Sequence, residues 1–593
     1  MRGRIILSLV VVAAITSCIA ASLLYRDRSL DTGEAVSETK VGAEVAVENT
    51  LYLPDEEREF LWECEHHGNV LSEYGWRIVS KAIHARDTET LQSTLAADFH
   101  GSVTSTSMET RYKNDTVLIQ RSVGAKQAIG ASDFIEWLLS LRKAIDSELA
   151  VQFATLSLAP ASRSDLGGNW NGRCRLRISG QHKGRRHETF VKFNFTISEP
   201  ERTNLDIGGW WANCEVTQID STESQNVLMQ EVAAERGLLL STLHDNWTTN
   251  TGPRVVGTGG IYLCDFNRDG RTDVLVTEPL SPRSVFLYRG LPEGQFEDAT
   301  YELRLPNLPD ADHALFADID NDGWEDLIFL GRAVYRNDSG QRFQDATRAS
   351  NLTQLILAGG SEGVSGTVVD YDRDGLIDIY VTRADVSRFN QGSWIDGKSG
   401  ALENNQLLRN LGNGKFEDVT QTAGASGGPR SAFTANWLDA NDDGWPDVYV
   451  IHEFGAGALL VNQQDGTFVE QQIAEHSDDF GSMGLASGDV DNDGRIDVYV
   501  SNMYSKAGNR VMDNLSPEYY DDATMAKLRR MVAGSQLHIN HGDFQFDPTE
   551  NHDDIATVGW AWGSSLVDLN NDGWLDIHAT CGFMSKERSK PDG

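Results

Sequence analysis

From residue 260 onward the apolar positions fall in short runs, four to a unit, and the unit repeats. The first run is a small apolar stretch, such as GIYLC before Asp265, GTVV before Asp370 or FTANWL before Asp439. The second is β-branched, as in DVLV, DLIFL, DIYV, DVYV and DIHA. The third ends in Arg, Asn or Gly (FLYRG, AVYRN, QLLRN, LLVN, QLHIN). The fourth opens on Phe296, Phe343, Phe416, Phe468 or Phe546, after tight turns such as PEG, DSG, GNG and QDG. Runs this short, rich in Val, Ile and aromatic residues and bounded by Gly, Asn and Asp, predict strands. Four strands per unit, with a period of about fifty residues, predict the blades of a β-propeller.

Between the first and second runs stands one nine-residue phrase, D-x-[DN]-x-D-G-x-x-D, in six copies. Its acidic and amide positions are Asp265, Asn267, Asp269 and Asp273; Asp318, Asp320, Asp322 and Asp326; Asp370, Asp372, Asp374 and Asp378; Asp439, Asn441, Asp443 and Asp447; Asp489, Asp491, Asp493 and Asp497; and Asp568, Asn570, Asp572 and Asp576. Positions 1, 3 and 5 converge if the backbone turns sharply, and glycine at position 6 permits that turn. The donors are hard oxygens with no Cys or His among them, which favours calcium over zinc. Carboxylates packed this closely repel one another without a cation. Up to six calcium ions are therefore expected. An EF-hand needs a glutamate at position 12 and flanking helices; here an aspartate closes the loop at position 9 and strands follow.

The first aspartates lie 53, 52, 69, 50 and 79 residues apart. The two long spacings place insertions at about Asp385–Glu403 and Met503–Gly534, between the second and third strands of their blades. Met229–Gly237 matches the fourth-strand phrase Phe416–Gly424, yet precedes the first loop. A strand there would complete the last blade and leave no open edge. Six blades are expected, or seven if the natural chain runs past Gly593. Loops two, three and five carry Asp at all four side-chain positions, and loop one carries Arg268 and Arg271. Charge count alone therefore makes loop one the weakest and loop two among the tightest.

These units resemble FG-GAP/VCBS repeats, the calcium-loop blades of integrin α-subunit propellers. FGSMGLASGDVDNDGRIDVYVSN and GWAWGSSLVDLNNDGWLDIHATCGF are similar to the bacterial and cartilage-acidic-protein branch. The resemblance covers about Gln225–Gly593. It implies a propeller and calcium, and function only loosely, since such propellers serve adhesion, lectin, lyase and scaffold roles alike.

The remaining chain divides into three parts. Residues 1–28 hold two basic residues and then Ile5–Leu24, twenty residues without a charge. This predicts an uncleaved signal anchor. The alternative is a lipoprotein signal lipidated at Cys18, within Ile15-Thr-Ser-Cys18, or a secreted protein. All of these readings place the bulk of the chain outside the cytoplasm, and the first two tether it to the membrane. Residues 29–54, of which Ser29–Asn49 is polar, aromatic-free and acidic, read as a flexible acidic tether.

Residues 55–220 carry no calcium loop. A helical stretch, Glu57–Ala85, precedes a second short helix with Leu91, Leu95 and Phe99 on one face. Strand-like alternation follows in CRLRISG, ETFVKFNFTI and WWANCEVTQI. The order resembles a SnoaL-like, nuclear-transport-factor-like α+β cone, a fold that often holds a pocket. His66, His67, Asp98 and His100 are the candidate groups, but their spacing assembles no acid–base constellation. A helix surface and a loop account for them.

With 51 basic and 88 acidic residues the net charge is −37, which argues against nucleic acid as a partner. Six cysteines are too few for a disulfide scaffold; Cys174 with Cys214 and Cys264 with Cys581 are the candidate bridges. The leading functional reading is a binding module engaging a protein or glycan on a propeller face. The alternative is a propeller-based polysaccharide lyase or hydrolase. Its candidate residues in the insertions are Arg383, Asp385, Arg388, Asp396, Lys398, Tyr504, Lys506, Arg510, Tyr519 and Tyr520, whose order spells no known mechanism. No catalytic residue is assigned. Trp394, Tyr519 and Tyr520 are candidates to stack on sugar rings.

Overall fold

The computed structural model describes residues 53–581, apart from 105–106, 144, 226–228, 239–258, 279–282, 309–310, 361–362, 385–403, 429, 454–455, 472, 474–480, 550–554 and 560. The anchor and the first insertion thus lie outside the described residues. No helix among the described residues is long and apolar enough to cross a membrane. The chain forms two compact units, one holding Val232–Ser505 and Asp522 onward, the other Tyr52–Glu231 together with Lys506–Asp521.

The second unit is α+β. Helix Asp55–Val70 continues through a π-helical turn, Leu71–Trp76, into Arg77–Ala85. Its eight strands are β1 (Leu95–Thr104), β2 (Met108–Lys113), β3 (Val117–Ser122), β4 (Lys126–Ile129), β5 (Ser147–Pro160), β6 (Asn169–His182), β7 (Arg185–Ser198) and β8 (Trp211–Ser224). The sheet order is β2-β3-β8-β7-β6-β5, and β1 pairs in parallel with β8 and antiparallel with β4. Trp76 is buried among Phe153, Phe195, Trp210 and Trp211, and its indole N–H donates to Thr155 Oγ1 at 3.0 Å. That bond satisfies the one polar atom of the Trp76 side chain.

One expectation fails here. The short helix is only Thr88–Thr94, capped by Asp87, whose Oδ1 accepts from the Thr90 N–H. Leu95 is already extended, and Phe99 lies on β1 rather than on a helix face. The parallel pairing of Leu95 with Trp211 supplies backbone partners that the helical pattern cannot foresee.

The other unit is a propeller of four-stranded antiparallel meanders. The blades are β9–β12 (Gly260–Cys264, Asp273–Thr277, Val285–Leu291, Gln295–Asp298), β13–β16 (Ala314–Ala317, Asp326–Phe329, Ala333–Asn337, Phe343–Asp345), β17–β20 (Ser365–Val369, Asp378–Thr382, Gln406–Asn410, Phe416–Asp418), β21–β24 (Ala432–Leu438, Asp447–His452, Ala458–Asn462, Phe468–Gln471) and β25–β28 (Ser482–Gly488, Asp497–Asn502, Gln536–Asn540, Phe546–Pro548). First strands of successive blades touch, β9 with β13 through to β25 with β29. Second strands are buried throughout, whereas each fourth strand from the second blade onward buries only its leading Phe. The insertions do fall between second and third strands, and the later one holds helices Lys506–Asn514 and Asp522–Ala533.

Among the described residues, the expected six or seven blades are corrected to five four-stranded ones. The sixth loop joins only two strands, β29 (Ala561–Val567) and β30 (Asp576–Cys581). Without third and fourth strands described beside it, this pair stays half-exposed. The segment expected to complete it is a turn instead. Arg236, Gly237 and Leu238 donate N–H bonds to Val232, Ala234 and Ala233, as Ala423, Gly424 and Ala425 do to Val419, Gln421 and Thr420. The sequence match was therefore real, but at Met229–Gly237 only the turn that follows a fourth strand forms, and not the strand itself. That turn leans on the first blade, where Phe296 N donates to Arg236 O at 2.7 Å.

The five described cysteines are free thiols. Cys174 pairs with Phe193 and Cys214 with Phe195 on opposite sides of β7. Two strand spacings, about 9.5 Å, exceed the reach of a disulfide.

Candidate metal centre

The nine-residue phrase folds the same way at every copy. The position 1 carboxylate accepts the N–H groups of positions 5 and 6; Asp318 takes them from Asp322 and Gly323 at 3.1 and 2.7 Å. Asp265, Asp370, Asp439, Asp489 and Asp568 repeat the pair. Gly323, Gly375 and Gly494 have φ near +90° at position 6, as the sequence predicts. Position 4 is also left-handed, with φ from 53° to 61° at Arg268, Asn321, Arg373, Asp442, Asn492 and Asn571. The signal for this was the Asn or Asp at four of these six positions, the residues that tolerate that conformation best.

Position 9 does a second job. One oxygen of Asp378 accepts from the Tyr371 N–H at 3.2 Å and the other from the Asn410 N–H at 2.7 Å. The carboxylate thereby ties the loop to the end of the third strand. Burial pushes Asp326 and Asp378 up to about 7, and Asp273 and Asp447 up to about 6. A desolvated carboxylate favours a proton or a cation.

Ligand atoms come together within 4.8 Å of one another in three groups: Asp318, Asp320 and Asp326; Asp370, Asp372 and Asp374; and Asp489, Asp491 and Asp493. Asp320 Oδ1 is buried and accepts no hydrogen bond. The donor set is all carboxylate oxygen, so these residues fit a hard divalent ion such as calcium. The Asn-containing loops place an amide at position 3 in place of that carboxylate. There the amide closes inward, and Asn267 and Asn441 donate to Asp269 and Asp443 at 2.9 and 3.0 Å.

Two arginines arrive from positions the phrase does not contain. Arg336 spans Asp320 and Asp322 at 2.6 and 2.8 Å, and Arg409 spans Asp372 and Asp374 at 2.7 and 3.0 Å. Both sit on third strands, next to the terminal Asn. Arg271 pairs with Asp269 and Arg495 with Asp493. Arg268 turns away from its own loop and lies over Trp324 of the next. The charge ranking of loops one and two therefore lacked two contributions.

The residue that sequence reasoning missed is the asparagine ending the third strand. Asn337, Asn410, Asn462 and Asn540 are buried. Each side-chain NH₂ donates to a position 2 carbonyl in the preceding blade: Phe266, Ile319, Tyr371 and Ala440 respectively. Each also donates to the position 8 carbonyl of its own loop. The side-chain oxygen accepts from the following turn. The recurring N in AVYRN, QLLRN, LLVN and QLHIN was the available signal.

Candidates elsewhere separate. Arg383 is wholly buried and donates to Ile356 O at 2.7 Å, a structural position. Arg510 pairs with Glu65 in the α+β unit at 2.7 Å. His66, Asp98 and His100 are exposed. His67 is not on the helix surface; it is buried and stacks on Trp170 at 4.6 Å, which corrects the surface reading for that residue.

Loops, blades and inter-blade bonds together define a β-propeller. The FG-GAP-like repeat family model matches residues 265–329 and 439–500. Cartilage acidic protein 1 of Xenopus tropicalis is 31% identical over 158 residues, 25% of this chain and 24% of that protein. The protein of the same name from Homo sapiens is 29% identical over 156 residues, 23% of each chain. The chain thus matches about a quarter of the length of these relatives.

Proposed function

We propose that this protein is an extracytoplasmic, membrane-tethered binding module whose propeller is stiffened by calcium and engages a protein or glycan. The observation carrying the calcium reading is Asp320 Oδ1, buried without a hydrogen bond beside Asp318 and Asp326. An unsatisfied buried carboxylate oxygen costs free energy unless an ion meets it. The binding reading is supported by the FG-GAP-like repeats and by the structural placement of Arg383, the one described basic group at the edge of the first insertion. Tethering rests on the apolar stretch Ile5–Leu24.

Calorimetric titration with calcium, on the wild type and Asp320→Asn, tests the ion. Wild type should bind several equivalents and the variant one fewer; equal stoichiometry rejects the site. A glycan and surface-protein array, read with calcium and then with chelator, tests the module. Calcium-dependent capture supports it, and polysaccharide cleavage without capture favours the lyase or hydrolase alternative.

A further inference from the structure

The α+β unit carries a second cluster with different donors. His67, Glu199 and Glu201 each offer one ligand atom within 4.8 Å of the others. His67 is 3% exposed. Its Nδ1 lies 2.7 Å from the main-chain oxygen of Glu63. A carbonyl only accepts, so Nδ1 carries the hydrogen, and in the neutral ring Nε2 is left with a lone pair. That Nε2 is buried, has no hydrogen-bond partner and lies 3.6 Å from Glu201 Oε1. A lone pair facing two carboxylates is an unfavourable arrangement that a cation at their centre would resolve. The bond from Nδ1 to a backbone carbonyl is the outer contact that orients metal-binding imidazoles. Stacking on Trp170 fixes the ring plane.

The carboxylates are placed by local structure. Residues 199 and 201 flank Pro200 in the short connection between β7 and the helix Arg202–Ile207, where Glu201 has extended backbone. Asn204 Nδ2 donates to Glu199 O at 3.1 Å and to Glu199 Oε2 at 3.4 Å. Glu201 is 44% exposed, which leaves a path for an ion from solvent.

We propose that His67, Glu199 and Glu201 bind a divalent transition ion of the zinc class. Imidazole among the donors distinguishes this site from the all-oxygen loops and selects against calcium. Three protein ligands leave a coordination position for water. The half-exposed glutamates move by rotamer adjustment to close the distances, while the packed imidazole stays fixed.

The test uses the full chain in millimolar calcium, so that the loops are filled, titrated with Co²⁺ alone and with Zn²⁺ alone. One further equivalent should bind, with the visible absorption of Co²⁺ in a mixed imidazole–carboxylate site. Outer-sphere substitutions already weaken metal sites about 10–100-fold, so loss of a direct ligand in Glu199→Gln or Glu201→Gln should cost at least about 10-fold. His67→Asn should abolish the absorption, and Asp320→Asn should leave it unchanged. The glutamate variants keep the test valid if His67→Asn does not fold. Absence of an equivalent beyond the loops overturns the proposal. So does unaltered Co²⁺ affinity in both glutamate variants, which would leave the cluster a protonated His67–Glu201 ion pair.

Discussion

Asn462, at the end of the third strand in the fourth blade, donates its side-chain amide to the carbonyl of Tyr371, 91 residues earlier in the loop of the third blade, at 2.9 Å. The same amide reaches Pro446 O, and its oxygen receives the Gln464 N–H. One buried side chain therefore joins two of the acidic loops and a turn. Asn462→Ala strands all three backbone groups, at about 1–3 kcal/mol for each one that water cannot reach. The expected loss of propeller stability is about 2–4 kcal/mol by chemical denaturation. A loss below about 0.5 kcal/mol, the range of surface substitutions, would show that water replaces the amide.

Removing calcium should lower the melting temperature of the propeller, because an ion that binds only the folded loops adds stability by mass action. Magnesium should restore little of it, since it demands stricter octahedral geometry. A melting curve unmoved by excess chelator contradicts the structural role.

Loop two should still hold calcium better than loop one, so Asp322→Ala should forfeit more binding than Asp269→Ala at limiting calcium. Arg336 now modifies that expectation. Its guanidinium neutralises Asp320 and Asp322 in the ion-free loop and must yield when calcium enters. It is half-exposed, so the competing pair is worth about 0.2–1 kcal/mol. Arg336→Gln should therefore tighten calcium about 1.5–5-fold by calorimetry. Weaker binding would mean that Arg336 shapes the loop more than it competes.

His452 is fully buried, with Nδ1 against Ala456 O at 2.9 Å. Burial first, and Arg430 second, lower it to about 3. Because the folded value lies below the unfolded one, stability is complete above about pH 6.5 and declines as pH falls toward 3. The slope reaches about 1.4 kcal/mol per pH unit. His452→Asn should remove that slope, measured as the difference between variant and wild-type unfolding at pH 7 and pH 5. Parallel curves would refute it.

What was legible in the sequence was local. A nine-residue phrase and runs of four to seven residues encode loops and strands because their ligands and neighbours are close in the chain. What was hidden depends on distant partners. Leu95 is a strand residue because of Trp211, His67 is buried because of Trp170, and Arg409 meets Asp372 from 37 positions away. The fourth-strand phrase at Met229–Gly237 was read correctly as kin to Phe416–Gly424 and wrongly as a strand. Phe416–Asp418 is a strand because it pairs with Leu408–Asn410, whereas Met229–Glu231 forms no strand and only the turn that follows is shared; the pairing partner of a strand is not written in its own residues.

The α+β unit is interrupted in the chain, since Lys506–Asp521 belongs to it although these residues stand between strands β26 and β27 of the fifth blade. Arg510 grips Glu65 with two hydrogen bonds and Thr155 O with a third, and Asn514 Nδ2 donates to Leu158 O. A ribosome reading the chain in order thus releases residues 55–224 long before the piece that completes them exists. For the interval needed to make nearly three hundred more residues, Glu65 waits with its counter-ion unmade. Dissection into two separate polypeptides at the boundary near residue 230 would make that interval permanent.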